Sequence, residues 1–242
     1  MTGAKKADVA ALVIAMTFPA VMAWIYFVTL ASDSGGRNDA LRFAFAAGKS
    51  LQFAFPGLFV WLLERPRLRF TLPGATGLRR GLALGLVVGA AILGVYQFWL
   101  RENPLLGNTP EKIFHKLEEF NCATPARFVA LALFIAVFHS LLEEYYWRWF
   151  VFGRLRRYLN LPSCLLLASL AFMAHHVIVL GVYFPGRFWM LAVPFSLGVA
   201  IGGALWAWLY EHTKSLLGPW VSHMLVDLAI MAVGYDMVAR YW

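Results

Sequence analysis

The chain has 242 residues, of which 61% are apolar and only 14% charged, against roughly 45–50% and about 25% in a typical soluble domain. So few charges cannot cover a water-facing surface, and the composition also excludes a disordered chain, a coiled coil, a collagen-like chain and a disulfide scaffold. The net charge of +8 does not point to nucleic acid, because the cations fall mostly between apolar runs, where basic loops face anionic lipid and fix topology.

In chain order, a bilayer core needs roughly 20 apolar residues per helix. Val9 to Ala31 carries no charge and follows Lys5 and Lys6. It is too long for a signal-peptide core and no A-x-A site follows, so it is expected as an uncleaved first span. The second span is expected from Ala40 to Leu63, with Lys49 and Pro56 inside it. The third runs from Gly81 to Leu100, bounded by Arg80 and Arg101. Gly81, Gly85 and Gly89 recur every four residues, a spacing that suits close helix packing. A polar stretch follows from Arg101 to Pro125. Within it Pro110 and Glu111, then Ile113, Phe114, Leu117 and Phe120, predict a short amphipathic helix at the membrane interface, near 109–120. The fourth span starts near Ala126 and ends near Gly153. The fifth lies in the uncharged run from Tyr158 to Gly186. The sixth is Phe188 to Tyr210, with Gly198 and Gly202 as a small-residue face. The seventh is about Leu217 to Val238.

The expected fold is all-α, a polytopic membrane helix bundle of about seven transmembrane helices (six to eight), forming a single integral-membrane domain over residues 1–242. Cys122 and Cys164 are far apart and lack a C-x-x-C partner, so they read as free packing thiols. The N-terminal tail, the loop Glu64–Arg80, the loop Arg154–Arg157 and the turn Glu211–Ser215 should share a side. They hold Lys5, Lys6, Arg65, Arg67, Arg69, Arg79, Arg80, Arg154, Arg156, Arg157 and Lys214. By the positive-inside rule that side, with the N-terminus, is expected to be cytoplasmic. Arg101, Lys112 and Lys116 lie on the other side.

Ionisable groups inside a span are costly and usually functional. The fourth span contains His139, Glu143, Glu144 and Arg148, the fifth His175 and His176, and the seventh His223 and Asp227. Glu144 and Arg148 are four apart and can pair, while Glu143 lies about 100° around the helix. One carboxylate can then be neutralised while the other faces a cavity, with a raised pKa suited to a general base. His223 and Asp227 are also four apart, so the carboxylate can hold the imidazole tautomer. Phe172 and His176 share the spacing, which would seat the ring against an aromatic. Plainer readings exist for each feature. The glutamates have a less favoured reading as helix-end charges near Arg148, Arg154, Arg156 and Arg157. His175 and His139 read as satisfied bundle residues, although His139, one turn before Glu143, could tune the site. Lys49 reads as a snorkelling or paired lysine.

Three motifs occur in order on these helices: E-E-x-x-x-R at Glu143–Glu144–Arg148, F-x-x-x-H at Phe172–His176, and H-x-x-x-D at His223–Asp227. Together they resemble the CPBP family of intramembrane proteases, which includes type II CAAX prenyl endopeptidases and bacteriocin-processing or self-immunity proteins. The resemblance covers about Phe128 to Asp236, and residues 126–239 are expected to carry the catalytic core. It implies an intramembrane endopeptidase acting on a membrane-tethered or C-terminally tagged protein or peptide, in a bacterial or archaeal cytoplasmic membrane. It assigns water activation to Glu143, holding of that water to His176, oxyanion stabilisation to His223 with Asp227, and bracing of the helix to Glu144 and Arg148. Asp227 stands where the family more often has asparagine. An ionised aspartate cannot donate to an oxyanion, so Asp227 must be protonated or must orient His223 instead. Trp149 replaces a common glycine, and the adjacent His175 leaves two imidazoles as candidates. Direct glutamate catalysis without a cofactor is favoured. The alternative is a zinc site with Glu143, His176 and His223 as ligands and an open fourth position. Outside protease chemistry, the same groups could serve a proton-coupled carrier, against which the lack of an inverted repeat counts, or a non-catalytic immunity or scaffold protein.

Overall fold

The computed structural model describes residues 3–29, 39–64 and 75–242. Arg65, Arg67 and Arg69, and the expected end of the first span at Ala31, lie outside the described residues. Among the described residues every regular element is helical, and seven helices are long and apolar enough to cross a membrane. This is the polytopic helical bundle that the composition predicts.

Helix α1 (Gly3–Trp24) passes into a wide π turn at Ile25–Thr29, and α2 covers Asp39–Leu63. Pro19 and Pro56 sit inside them. A proline removes one backbone bond, and membrane helices re-satisfy the freed carbonyl by local π adjustment. Helix α3 (Ala75–Val95) also ends in a π turn, Tyr96–Leu100. Both α1 and α3 begin about six residues before the apolar run does. Lys5, Lys6, Arg79 and Arg80 are therefore helical residues rather than loop residues, and long basic side chains at a helix end can reach the interface without breaking the backbone ladder.

The amphipathic helix α4 spans Thr109–Glu119, with Pro110 and Glu111 in its first turn and Lys116 in its last, each on the favoured side of the helix dipole. It closes with Asn121 at φ 57°. The Cys122 amide then donates to the Leu117 carbonyl at 2.7 Å and the Asn121 amide to Glu118 at 2.9 Å, a Schellman closure with asparagine in the usual glycine place. Thr124 accepts a bond from the Arg127 amide, and Pro125 opens the next helix. That helix, α5 (Pro125–Leu155), is interrupted by two wide turns, Phe134–His139 and Tyr145–Phe152, which flank the α-turn Ser140–Glu144. Three helices follow: α6 (Leu161–Tyr183), α7 (Phe188–Thr213) and α8 (Leu217–Val238).

The chain forms two compact units. The first contains 1–72, 145–182 and 188–208. In it α1 packs on α2 and on the end of α5, and the Tyr146 hydroxyl donates to the Ala15 carbonyl at 2.8 Å. Arg154 was expected in a loop. It is instead buried at the end of α5, ion-paired to Asp8 and, at 3.1 Å, to Glu64. Its guanidinium also lies 4.6 Å from the ring centres of both Phe59 and Phe150. Arg157 reaches Glu64 at 2.8 Å, and the Tyr158 hydroxyl donates to Asp8 at 2.6 Å. Lys49 lies about one turn from two rings, 6.0 Å from Phe45 and 5.8 Å from Phe53.

The second unit contains 73–144, 183–187 and 209–242. Its centre is the contact of α3 with α8, made by the glycines noted in the sequence. A Cβ on Gly81 would stand 2.1 Å from the Gly218 carbonyl oxygen, and one on Gly85 would stand 2.9 Å from Ser222 Cα and Leu225 Cβ. The two backbones therefore approach as closely as hydrogen side chains permit. Leu117, Phe128 and Val238 form a second buried cluster tying α4, α5 and α8 together.

Candidate active site

In the second unit, α5 and α8 bring three of the expected carboxyl groups around the imidazole of His223. His223 Nδ1 donates to Glu144 Oε1 at 2.8 Å. Its Nε2 stands 3.7 Å from Glu143 Oε2 and 3.6 Å from Asp227 Oδ1. His139 Nε2 lies 3.8 Å from the other oxygen of Glu143. Only the Glu144 contact is short enough for a hydrogen bond; the others are separations that one bridging water can span. Side-chain exposure runs from 0% at Glu144 to 15% at Asp227 and 30% at His139. The cluster is thus sealed at Glu144 and more open toward His139.

The tautomer of His223 follows from this geometry. A carboxylate accepts and does not donate, so the 2.8 Å contact places a proton on Nδ1. Nε2 then faces Glu143 and Asp227, carrying a lone pair in the neutral ring or a second proton in the imidazolium. The sequence spacing offered Asp227 as the group that orients His223. The Nδ1 partner is Glu144, 79 residues away along the chain. No sequence period reports such a contact.

Local structure explains why the two adjacent glutamates point at one histidine. The α-turn that bears them is bracketed by wide turns, which change the angular step along the helix. The wide turn before them leaves the Val137 carbonyl to accept from Trp220 Nε1 of α8 at 2.9 Å. Ser140, fully buried, donates its hydroxyl to the Ala136 carbonyl. Trp220 thus anchors α8 to α5 three residues before His223. Sequence reasoning missed this residue, since one tryptophan among ten carried no distinguishing signal. The Gly218–Pro219 step next to it, and the glycine row of α3, were the available hints.

The remaining expected residues lie in the first unit. Arg148 is buried with its guanidinium over two rings, 4.8 Å from Phe172 and 5.1 Å from Trp206. Its Nη2 donates to the Gly203 carbonyl at 3.5 Å. A Cβ on Gly203 would come within 3.1 Å of Phe172 and 3.7 Å of that Nη2, so the glycine leaves room for the guanidinium. His176 donates from Nδ1 to the Phe172 carbonyl at 3.1 Å and meets the Phe172 ring edge-on at 4.9 Å. The neutral ring then has its lone pair on Nε2. His175 is buried and lies parallel to Trp147 at 6.2 Å. Tyr146 and Trp147 are themselves buried core residues. Among the described residues, no group of three or more His, Cys, Asp or Glu side chains is arranged to hold a metal ion.

Residues 125–229 match the family described as type II CAAX prenyl endopeptidase Rce1-like. The matched stretch contains His139, Glu143, Glu144, Arg148, His175, His176, His223 and Asp227, and it agrees with the family resemblance carried by the three motifs. No curated protein and no solved structure matches the chain.

Proposed function

We propose that this integral membrane protein, whose residues 125–229 match the Rce1-like family of type II CAAX prenyl endopeptidases, hydrolyses a peptide bond of a membrane-tethered protein or peptide with water activated by Glu143. The observation that carries the reading is the arrangement at His223, with Nδ1 held by Glu144 and Nε2 flanked by Glu143 and Asp227.

The chemistry follows from those atoms. Glu143 takes a proton from water, and the water oxygen bonds to the scissile carbonyl carbon. Charge develops on the carbonyl oxygen, and a doubly protonated His223 donates to it from Nε2. Glu144, as the acceptor at Nδ1, fixes the ring and stabilises its positive charge. The C–N bond then breaks, and the proton on Glu143 passes to the leaving amine. A positioned general base contributes about 10²–10⁴-fold, and an oxyanion donor about 10²–10³-fold. The family resemblance adds His176 as a second hold on the water. Asp227, beside Nε2, tunes His223 rather than donating in its ionised form. A zinc route would supply the activated water itself, but no group of three such side chains among the described residues is arranged to hold the ion. The basic ends of α1 and α5 support a cytoplasmic N-terminus under the positive-inside rule.

The test uses purified protein in proteoliposomes and membrane-anchored peptides with and without a C-terminal lipid. Cleavage by the wild type that disappears in Glu143→Gln and persists after chelation supports the glutamate route. Loss on chelation with recovery on adding zinc supports the metal route. Cleavage undiminished in Glu143→Gln would overturn the proposal.

A further inference from the structure

In the first unit, a cleft of about 460 Å³ opens between the start of α1 and the end of α5. Its walls are Val9, Leu12 and Val13 of α1 and Leu155 of α5, and its rim carries Lys5 and Tyr158. The volume falls within the roughly 300–1,000 Å³ of small-molecule sites. From this cleft we propose that the chain binds an anionic phospholipid here, with an acyl chain along the apolar wall and the phosphate on Lys5. This is independent of the protease reading and uses none of its residues.

Three observations converge. The first is depth. The membrane-crossing stretch of α1 begins at Lys5 and that of α5 ends at Leu155. The cleft therefore sits where two apolar spans stop, which is the level of lipid headgroups, and its walls run inward from there. Val13, 57% exposed, offers the kind of apolar surface that a lipid tail covers.

The second is charge. The two helix ends carry Lys5, Lys6, Arg154, Arg156 and Arg157 against only Asp8 and Glu64. The two carboxylates are engaged by Arg154 and Arg157. Lys5, Lys6 and Arg156 remain as a net positive excess, and basic residues at a span end attract anionic headgroups over zwitterionic ones.

The third is placement of the cation. Lys5 Nζ lies 5.6 Å over the Tyr158 ring, and Tyr158 is itself tied to Asp8 by its hydroxyl. The ammonium is therefore held at the mouth of the cleft by a ring that the ion-pair network fixes. Burial of Arg154 within that network keeps the two helix ends at the spacing that leaves the cleft open.

The experiment is native mass spectrometry of the full chain in mixed micelles containing equal phosphatidylglycerol and phosphatidylcholine. The expected result is retention of phosphatidylglycerol several-fold above phosphatidylcholine. Lys5→Gln should reduce that preference by about fivefold, the contribution of one cation near an anionic surface. Val13→Trp should fill the cleft and lower retention of both lipids, while Val87→Trp on α3, a still more exposed site in the other unit, should change neither. Equal retention of the two lipids would overturn the proposal. So would a preference that survives both Lys5→Gln and Val13→Trp, or full displacement of the lipid by glycerophosphate alone, which marks a headgroup site without an acyl cleft.

Discussion

Two charge clusters, one in each unit, set carboxylates against different kinds of cation. At the ends of α1, α2 and α5, Asp8 and Glu64 meet Arg154 and Arg157. Around α5 and α8, Glu143, Glu144 and Asp227 meet His223. A guanidinium stays charged at every accessible pH, so Arg154 and Arg157 can fix geometry but cannot pass a proton. An imidazole can carry one proton or two, so the second can accept and release a proton while its carboxylates stay in place. The contrast teaches that a buried carboxylate by itself says little about chemistry, and that the titration range of its partner separates a brace from a site.

The largest effect that sharpens this contrast is expected at Glu143. Glu143→Gln should lower the cleavage rate by about 10²–10⁴-fold with helical content by circular dichroism unchanged. A matching loss of folding would mean that Glu143 is a brace after all. Next is Arg154→Ala, which takes the buried cation from between Asp8 and Glu64, leaves them to Tyr158 and Arg157, and should cost about 1–3 kcal/mol in unfolding experiments. Arg154→Met combined with Asp8→Leu and Glu64→Gln should recover most of it, since an apolar replacement of similar size is often neutral. Failure to recover would show that the network does more than hold helices together.

Gly85→Leu tests the support under His223. The added side chain meets Ser222 and Leu225 on α8 and should destabilise the protein by about 1–3 kcal/mol, with activity falling too. Gly94→Ala, which has nothing within 4 Å, is the control and should be near neutral. Glu144→Gln keeps an acceptor for Nδ1 but removes its charge, and should lower kcat by about 10–100-fold with KM little changed. A KM effect alone would place Glu144 in substrate binding.

The smallest effect is acid dependence. The hydrogen bond from Arg157, with the charges of Arg154 and Arg157, holds the Glu64 carboxyl below its ordinary 4.5. A depressed folded-state pKa gives stability that is complete above the unfolded value and lost as pH falls from there through the lower folded value. Thermal scans of the wild type from pH 6 down to pH 3 should show this loss, and Glu64→Gln should flatten it.

Seven spans, the amphipathic helix near 109–120 and the glycine face of α3 were all legible in the sequence. Hydropathy and period are local properties, and lipid forces each span to satisfy its backbone internally. The candidate residues were legible for a related reason: ionisable groups stand out where the surrounding 20 residues cannot tolerate them. The helix starts at Gly3 and Ala75 were missed because helix continues past the apolar run, carried by basic residues that reach the interface.

Partners were a matter for the tertiary structure. Spacing alone offered Arg148 to Glu144 and Asp227 to His223. In three dimensions Glu144 holds Nδ1 of His223 while Asp227 stands beside its Nε2, Arg148 lies over Phe172 and Trp206, and Arg154 is drawn between Asp8 and Glu64. The reason is geometric. A period of 3.6 residues holds only while the helix is regular, and α5 widens on both sides of its glutamates. Contacts between helices depend on how closely backbones approach, which Gly81, Gly85 and Gly218 decide in three dimensions. Composition therefore determined the solvent and the number of helices, and the motifs marked which charges to watch. The packing of α3, α5 and α8 decided which nitrogen of His223 is held, and by which carboxylate.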